Sequence, residues 1–156
     1  MVDKKLSGAG LRGQSAGETK LCTVGKSGSG LTYCGYDVAD LAENSTFEEV
    51  AYLLFNGELP NQAQLDAYKA ELKTMRDLPE AVKSVLKLIP KETHPMDVMR
   101  TGCSILGNIE PESDFSEARR AANRLLAAFP AIMCYWYKYS HDGVEIDCMT
   151  DEDSLG

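Results

Sequence analysis

The chain has few of the residues that carry most proton-transfer chemistry: two histidines, His94 and His141, in 156 residues. His94 precedes Pro95 at a helix start, where capping or packing is its ordinary work. His141 lies in Ser140-His141-Asp142-Gly143, a helix C-terminus, where interaction with the helix dipole explains it. No Ser/His/Asp or Cys/His set can be assembled around either. Positive charge is also scarce: 16 Lys and Arg against 24 Asp and Glu give a net charge of −8. That is the wrong sign for a nucleic-acid partner, whose phosphates require a basic stripe. No apolar run approaches the roughly 18 residues that span a membrane. The first residues, Met1–Gly17, lack the apolar core of a secretory signal. The chain therefore reads as cytoplasmic.

The five cysteines, Cys22, Cys34, Cys103, Cys134 and Cys148, are odd in number and include no CxxC pair. That argues against a disulfide framework and against any recognised zinc spacing, so they read as reduced, mostly buried thiols and no metal is expected.

The length fits one domain. Residues 1–19 are rich in Gly, Ser and Lys and read as a flexible leader. Gly8-Ala9-Gly10-Leu11-Arg12-Gly13 spells GxGxxG, but no strand precedes it and no helix start follows, as a dinucleotide site would need. Leu21–Val24 and Leu31–Cys34 read as a β-hairpin around a Gly-rich turn, Gly25–Gly30. The turn carries a lysine but lacks the spacing and following helix of a phosphate loop.

From Tyr36 onward the pattern is helical. Asp37–Ala42 suits a short helix. Thr46 and Glu49 form a capping box for a helix over Phe47–Asn56, with Val50, Ala51 and Leu54 on one face and Gly57 as its stop. Asn61 caps a helix running to about Met75 through Leu65, Tyr68 and Leu72. Pro79 opens another, with Val82, Leu86 and Ile89 inward, and Pro90 closes it. Pro95 suits the first turn of the next helix, 95–107, whose Met96, Met99, Cys103 and Leu106 recur at helical spacing. It reads as a buried central helix. Ser113 or Asp114 caps a long last helix from about Phe115, which Pro130 should kink or break. Beyond that proline, residues 132–139 are apolar almost all round, which implies a second subunit or further chain packed on them. Asp151-Glu152-Asp153 reads as a solvated loop. Taken residue by residue, the sequence describes an acidic, mostly helical domain with one hairpin, and names no reaction.

Several segments together carry a resemblance. They are Leu21-Cys22-Thr23-Val24-Gly25, Tyr33-Cys34-Gly35-Tyr36-Asp37-Val38-Ala39-Asp40-Leu41-Ala42, Phe47–Leu54, Gly57-Glu58-Leu59-Pro60 and His94-Pro95-Met96-Asp97-Val98-Met99-Arg100-Thr101. In order and spacing these resemble the citrate synthase family. The wording of Tyr135–His141 and Asp151–Gly156 is closest to its bacterial 2-methylcitrate synthase branch. Many relatives carry arginine where this chain has Cys34.

The resemblance implies a mainly α, citrate-synthase-like helical domain over 20–156 with a short N-terminal β-hairpin. It implies the N-terminal portion of an enzyme that joins propionyl-CoA to oxaloacetate. The family's two catalytic histidines and aspartate lie in a later part of its chain, and neither His94 nor His141 matches them. The resemblance therefore assigns no catalytic residue here and implies that the chain alone is inactive. It further implies a homodimer through helices 95–107 and 115–140, no cofactor beyond the acyl-CoA substrate, and Lys73 as a side chain that approaches substrate. The competing expectation is a free-standing helical dimerisation or interaction domain without catalysis.

Overall fold

The computed structural model describes residues 15, 17–25 and 30–155. The GxGxxG stretch, most of the leader and the tip of the Gly-rich turn lie outside the described residues. The expected hairpin is present as β1, Cys22–Val24, paired antiparallel with β2, Leu31–Tyr33. A third strand that the sequence reading did not anticipate, β3, Tyr36–Asp37, pairs with β2. Its cause is the dipeptide Cys34-Gly35, where φ is 47° and 92°. Two positive φ values in succession make the tight turn that matches strand twist, and glycine adopts the second at no steric cost.

The helices follow their local signals closely. Asp37 caps α1, Val38–Asn44, by accepting from the Ala39 N–H at 2.8 Å. Thr46 and Glu49 form the expected capping box on α2, Phe47–Asn56: the Thr46 N–H donates to Glu49 Oε2 at 2.7 Å and the Glu49 N–H to Thr46 Oγ1 at 3.4 Å. Asn61 and Gln64 repeat the device on α3, Gln62–Lys73, which ends just short of Met75. α4 covers Glu80–Lys87.

α5, Pro95–Ile109, passes through Gly107 and stops two residues later. α6 runs from Ala118 to Asp142 after a 3₁₀ turn at Phe115–Glu117. Pro130 does not break it. The proline removes one hydrogen bond but is itself exposed, while Ala127, Ala128 and Ile132 on either side of it are fully buried and hold the helix together.

α6 is the spine of the core. Ala128, Ile132, Tyr135 and Trp136 meet Leu78, Val82 and Leu86 from the α4 region and Val98 and Leu106 from α5. On another side Ala127 meets Ala51, Tyr68 and Leu72 from α2 and α3. The central position expected for α5 thus belongs to α6. The inward stripe of α5 is Val98, Gly102 and Leu106; of the expected Met96–Met99–Cys103–Leu106 face, Leu106 is buried, Met99 and Cys103 are half-buried with Met99 packed against the core, and only Met96, 68% exposed, is turned outward. Within 132–139, Ile132, Tyr135 and Trp136 are buried, but Cys134, Tyr137 and Lys138 are exposed.

Gly102 is the contact point between the two long helices. A Cβ built there would lie 2.6 Å from Ile132 Cγ2 and 3.0 Å from its Cδ1. Gly102→Ala should therefore destabilise the fold by about 1–3 kcal/mol, despite alanine's better helix propensity. In Ile132→Ala, which removes the clashing atoms, the same glycine change should cost much less. A double-mutant cycle from urea midpoints measures that coupling; independent effects would contradict the close-contact account.

Candidate functional site

The candidate residues from the sequence do not gather into a reactive centre. His94 is the N-cap of α5, its Nδ1 accepting from the Met96 N–H at 3.2 Å. His141 stacks on Tyr137 with ring centres 4.1 Å apart, and its Nδ1 lies 3.1 Å from the Tyr137 carbonyl. Both do the structural work expected of them. All five cysteines are free, but only Cys148 is buried; Cys134 is exposed and the other three are half-buried, so the expectation of mostly buried thiols fails. Apolar surroundings push the Cys148 thiol above its usual range. Among the described residues no group of three or more His, Cys, Asp or Glu side chains could hold a metal ion.

Polar side chains converge elsewhere, on an irregular strap that follows α6. Gly143 ends that helix with φ at 70°, and residues 144–155 cross the body of the domain without a helix or strand. At the start of the strap, Glu145 receives the Tyr135 hydroxyl at 2.9 Å and Lys87 Nζ at 2.7 Å. Further on, Lys73 Nζ donates to the Asp151 carbonyl at 2.9 Å and stands 3.8 Å from its carboxylate. Arg76, from the α3–α4 link, donates to the carbonyls of Thr150 at 3.3 Å and Glu152 at 2.5 Å, and to Thr150 Oγ1 at 3.1 Å. At the far end, Glu48 of α2 accepts from the Leu155 N–H at 2.6 Å and from the Ser154 hydroxyl at 3.1 and 3.0 Å.

Asp151–Asp153 is therefore more than a solvated loop. Its carboxylate-bearing residues are exposed, but its backbone is held by two cations. A cavity of about 150 Å³ lies under the strap against α6, with Arg76, Cys134, Asp147, Cys148 and Thr150 among its walls.

Two smaller networks brace this arrangement. Arg124 of α6 grips the Glu110 carboxylate at 2.9–3.1 Å and donates to the carbonyls of Met75 and Asp77, fixing the link that carries Arg76. Buried Asn123 accepts the Tyr68 hydroxyl at 3.0 Å and donates to Glu71 at 2.9 Å. Burial pushes the Tyr68 phenol up. The geometry binds and orients backbone.

Glu48 and Arg76 were not singled out in the sequence. Glu48 had one legible signal, since it sits three residues before Ala51 on the inward face of α2. Arg76 had none, because its partners lie more than seventy residues away in sequence. Lys73 is placed beside the strap with its side chain 34% exposed and already engaged with Asp151.

The Glu145 cluster carries a pH signature. Hydrogen bonds from Lys87 and then Tyr135 hold the Glu145 carboxyl below its usual range, and the same carboxylate raises Lys87. A depressed carboxyl contributes stability that is present above its unfolded value of about 4.3 and is lost as pH falls through the folded value. The urea midpoint of the wild type should therefore drop more steeply below about pH 4 than that of Glu145→Gln. Parallel profiles would remove the cluster from the acid response.

A family model described as citrate synthase, C-terminal domain, matches residues 10–156. The chain is 71% identical over 153 residues to a 2-methylcitrate synthase of Shewanella oneidensis, covering 98% of this chain and 41% of that protein. It is 40% identical over 125 residues to the 2-methylcitrate synthase of Mycobacterium tuberculosis, covering 80% of this chain and 32% of that one. Among solved structures, citrate synthase from Thermotoga maritima superposes with a TM-score of 0.75 at 33% identity, covering 94% of this chain and 37% of its own. An archaeal citrate synthase from Thermoplasma acidophilum, solved with carboxymethyl coenzyme A and oxaloacetate, gives 0.81 at 22% identity, covering 93% and 39%. The chain thus spans about two-fifths or less of the length of these relatives.

Proposed function

This chain belongs to the citrate synthase family, and on that premise we propose that it is the N-terminal portion of a 2-methylcitrate synthase. The reaction proposed for the whole enzyme is condensation of propionyl-CoA with oxaloacetate to 2-methylcitrate and CoA, a carbon–carbon bond-forming acyl transfer of propionate catabolism, with citrate synthase activity as a side capacity. The observation that carries this reading is the 71% identity to the Shewanella oneidensis enzyme across 98% of the chain. The placement at the N-terminal end rests on the order of the hairpin, Gly-Tyr-Asp and His-Pro-Met-Asp segments, although the matched family description speaks of a C-terminal domain.

In this reading the chain supplies scaffold, and the proton-transfer residues lie in sequence outside it. The acyl-CoA is a substrate and no separate cofactor is invoked. The setting is the cytoplasm; no described helix is long and apolar enough to cross a membrane. A homodimer through helices 95–107 and 115–140 is part of the proposal. It is supported by the large apolar side chains left outward on and beside those helices: Met96 at 68% exposure, Tyr137 at 52% and Phe115 at 90%. Lys73 remains a candidate substrate-approaching cation because a third of its side chain is open.

The same outward apolar residues suit the second reading, a helical dimerisation domain without catalysis. One assay separates the two: release of CoA thiol from propionyl-CoA and oxaloacetate, run on the 156-residue chain and on the product of the whole reading frame. The expected result is no release by the chain alone, and release by the whole product that is faster with propionyl-CoA than with acetyl-CoA. An inactive whole product would favour the dimerisation domain, and turnover by the chain alone would refute the scaffold role.

A further inference from the structure

Three polar side chains are buried among the described residues: Glu48, Arg76 and Asn123, at 0%, 4% and 1% exposure. Asn123 is accounted for by the helix-to-helix link it makes. The other two are ionisable side chains removed from water, and both are committed to the same irregular segment. Neither takes part in an ion pair among the described residues. Their partners are instead the main chain and hydroxyls of 150–155, and Arg76 Nε has no hydrogen-bond partner among the described residues. A core built only for stability would place apolar groups at such positions, since burying charge without a counter-ion costs free energy that packing does not return.

The two residues also grip from different elements. Arg76 comes from the link after α3 and faces carbonyls, so it needs the strap's C=O groups turned inward. Glu48 comes from α2 and faces the Leu155 N–H, so it needs the Ser154–Leu155 peptide to present its N–H inward. Together they specify the path of the strap as well as its attachment.

We infer that Glu48 and Arg76 form a latch that fixes the course of residues 150–155 and acts as a pair of positioning residues for the polypeptide that follows Ser154. The role in the enzyme rests on the proposed function above, in which later sequence carries the chemistry; the latch itself does not.

The test uses hydrogen–deuterium exchange and kinetics together. Glu48→Gln keeps the volume and removes the charge, Ser154→Ala removes one donor from the strap without entering the core, and Arg76→Met and Arg76→Lys bracket the cation. In the 156-residue chain, Glu48→Gln, Ser154→Ala and Arg76→Met should speed exchange of the Leu155 amide, which donates to Glu48, by roughly 10- to 100-fold, the range for losing a charge-assisted hydrogen bond. Exchange in α5 and α6 should stay unchanged, and Arg76→Lys should restore part of the protection. Unaltered exchange in the strap, or an equal rise through α5 and α6, overturns the latch. In the product of the whole reading frame, the same variants should lower kcat by about tenfold or more while KM for propionyl-CoA moves less than about twofold. An unchanged kcat overturns the positioning role. A wild-type product without turnover refutes the functional reading instead, and the exchange data still decide the latch.

Discussion

The close approach of α5 to α6 at Gly102 is the constraint on which the rest of the structure depends. With no side chain at that point, Ile132 can enter the groove of α5, and the two helices meet at a distance that any larger residue would forbid. The contact turns Val98 and Leu106 inward beside it and leaves Met96 outward. It also sets α6 so that one side meets α4 and α5 while Ala127, on another, receives α3 and α2. The domain is thus a set of helices hung on one spine, and the strap after that spine returns across the structure to α2.

A polar frame is superimposed on this apolar one. Arg124 holds the link that carries Arg76; Arg76 and Lys73 hold the middle of the strap; Glu48 holds its end. Lys73 and Arg76 both donate to backbone carbonyls of the strap, which act as ligands whatever side chains the strap bears. The exposed acidic side chains of Asp151 and Asp153 therefore contribute little to its placement, and the peptide groups around them contribute most.

Much of the fold was legible from local signals. Thr46 with Glu49, Asn61 before Gln64, Pro95 at a first turn and the hairpin segments all act within a few residues of themselves, so their consequences can be read along the chain. What stayed hidden depended on distant partners. Helical spacing of large side chains points Met96, Met99, Cys103 and Leu106 inward on α5; Leu106 is there, but the structure turns on a glycine whose value lies in what it lacks. Pro130 is expected to kink or break α6; it does not break it, and flanking burial carries the helix across. Cys34-Gly35 holds a third strand that a two-strand reading passed over. Glu48 meets Ser154 across 106 positions, a pairing no spacing rule could supply. The resemblance to the citrate synthase family reached the fold through short motifs, and the family match and the superposed structures agree with it.

The proposal that rests most on this architecture is that the outward apolar residues of α5 and α6 are covered by a second copy of the chain. Sedimentation equilibrium of the purified chain tests it most directly. The account predicts a dimer of twice the 17.1 kDa chain mass that dissociates when Met96 is replaced by aspartate, with helix content retained. A chain that stays monomeric at every concentration, or a dimer indifferent to Met96→Asp and to charge placed at Tyr137, would contradict it.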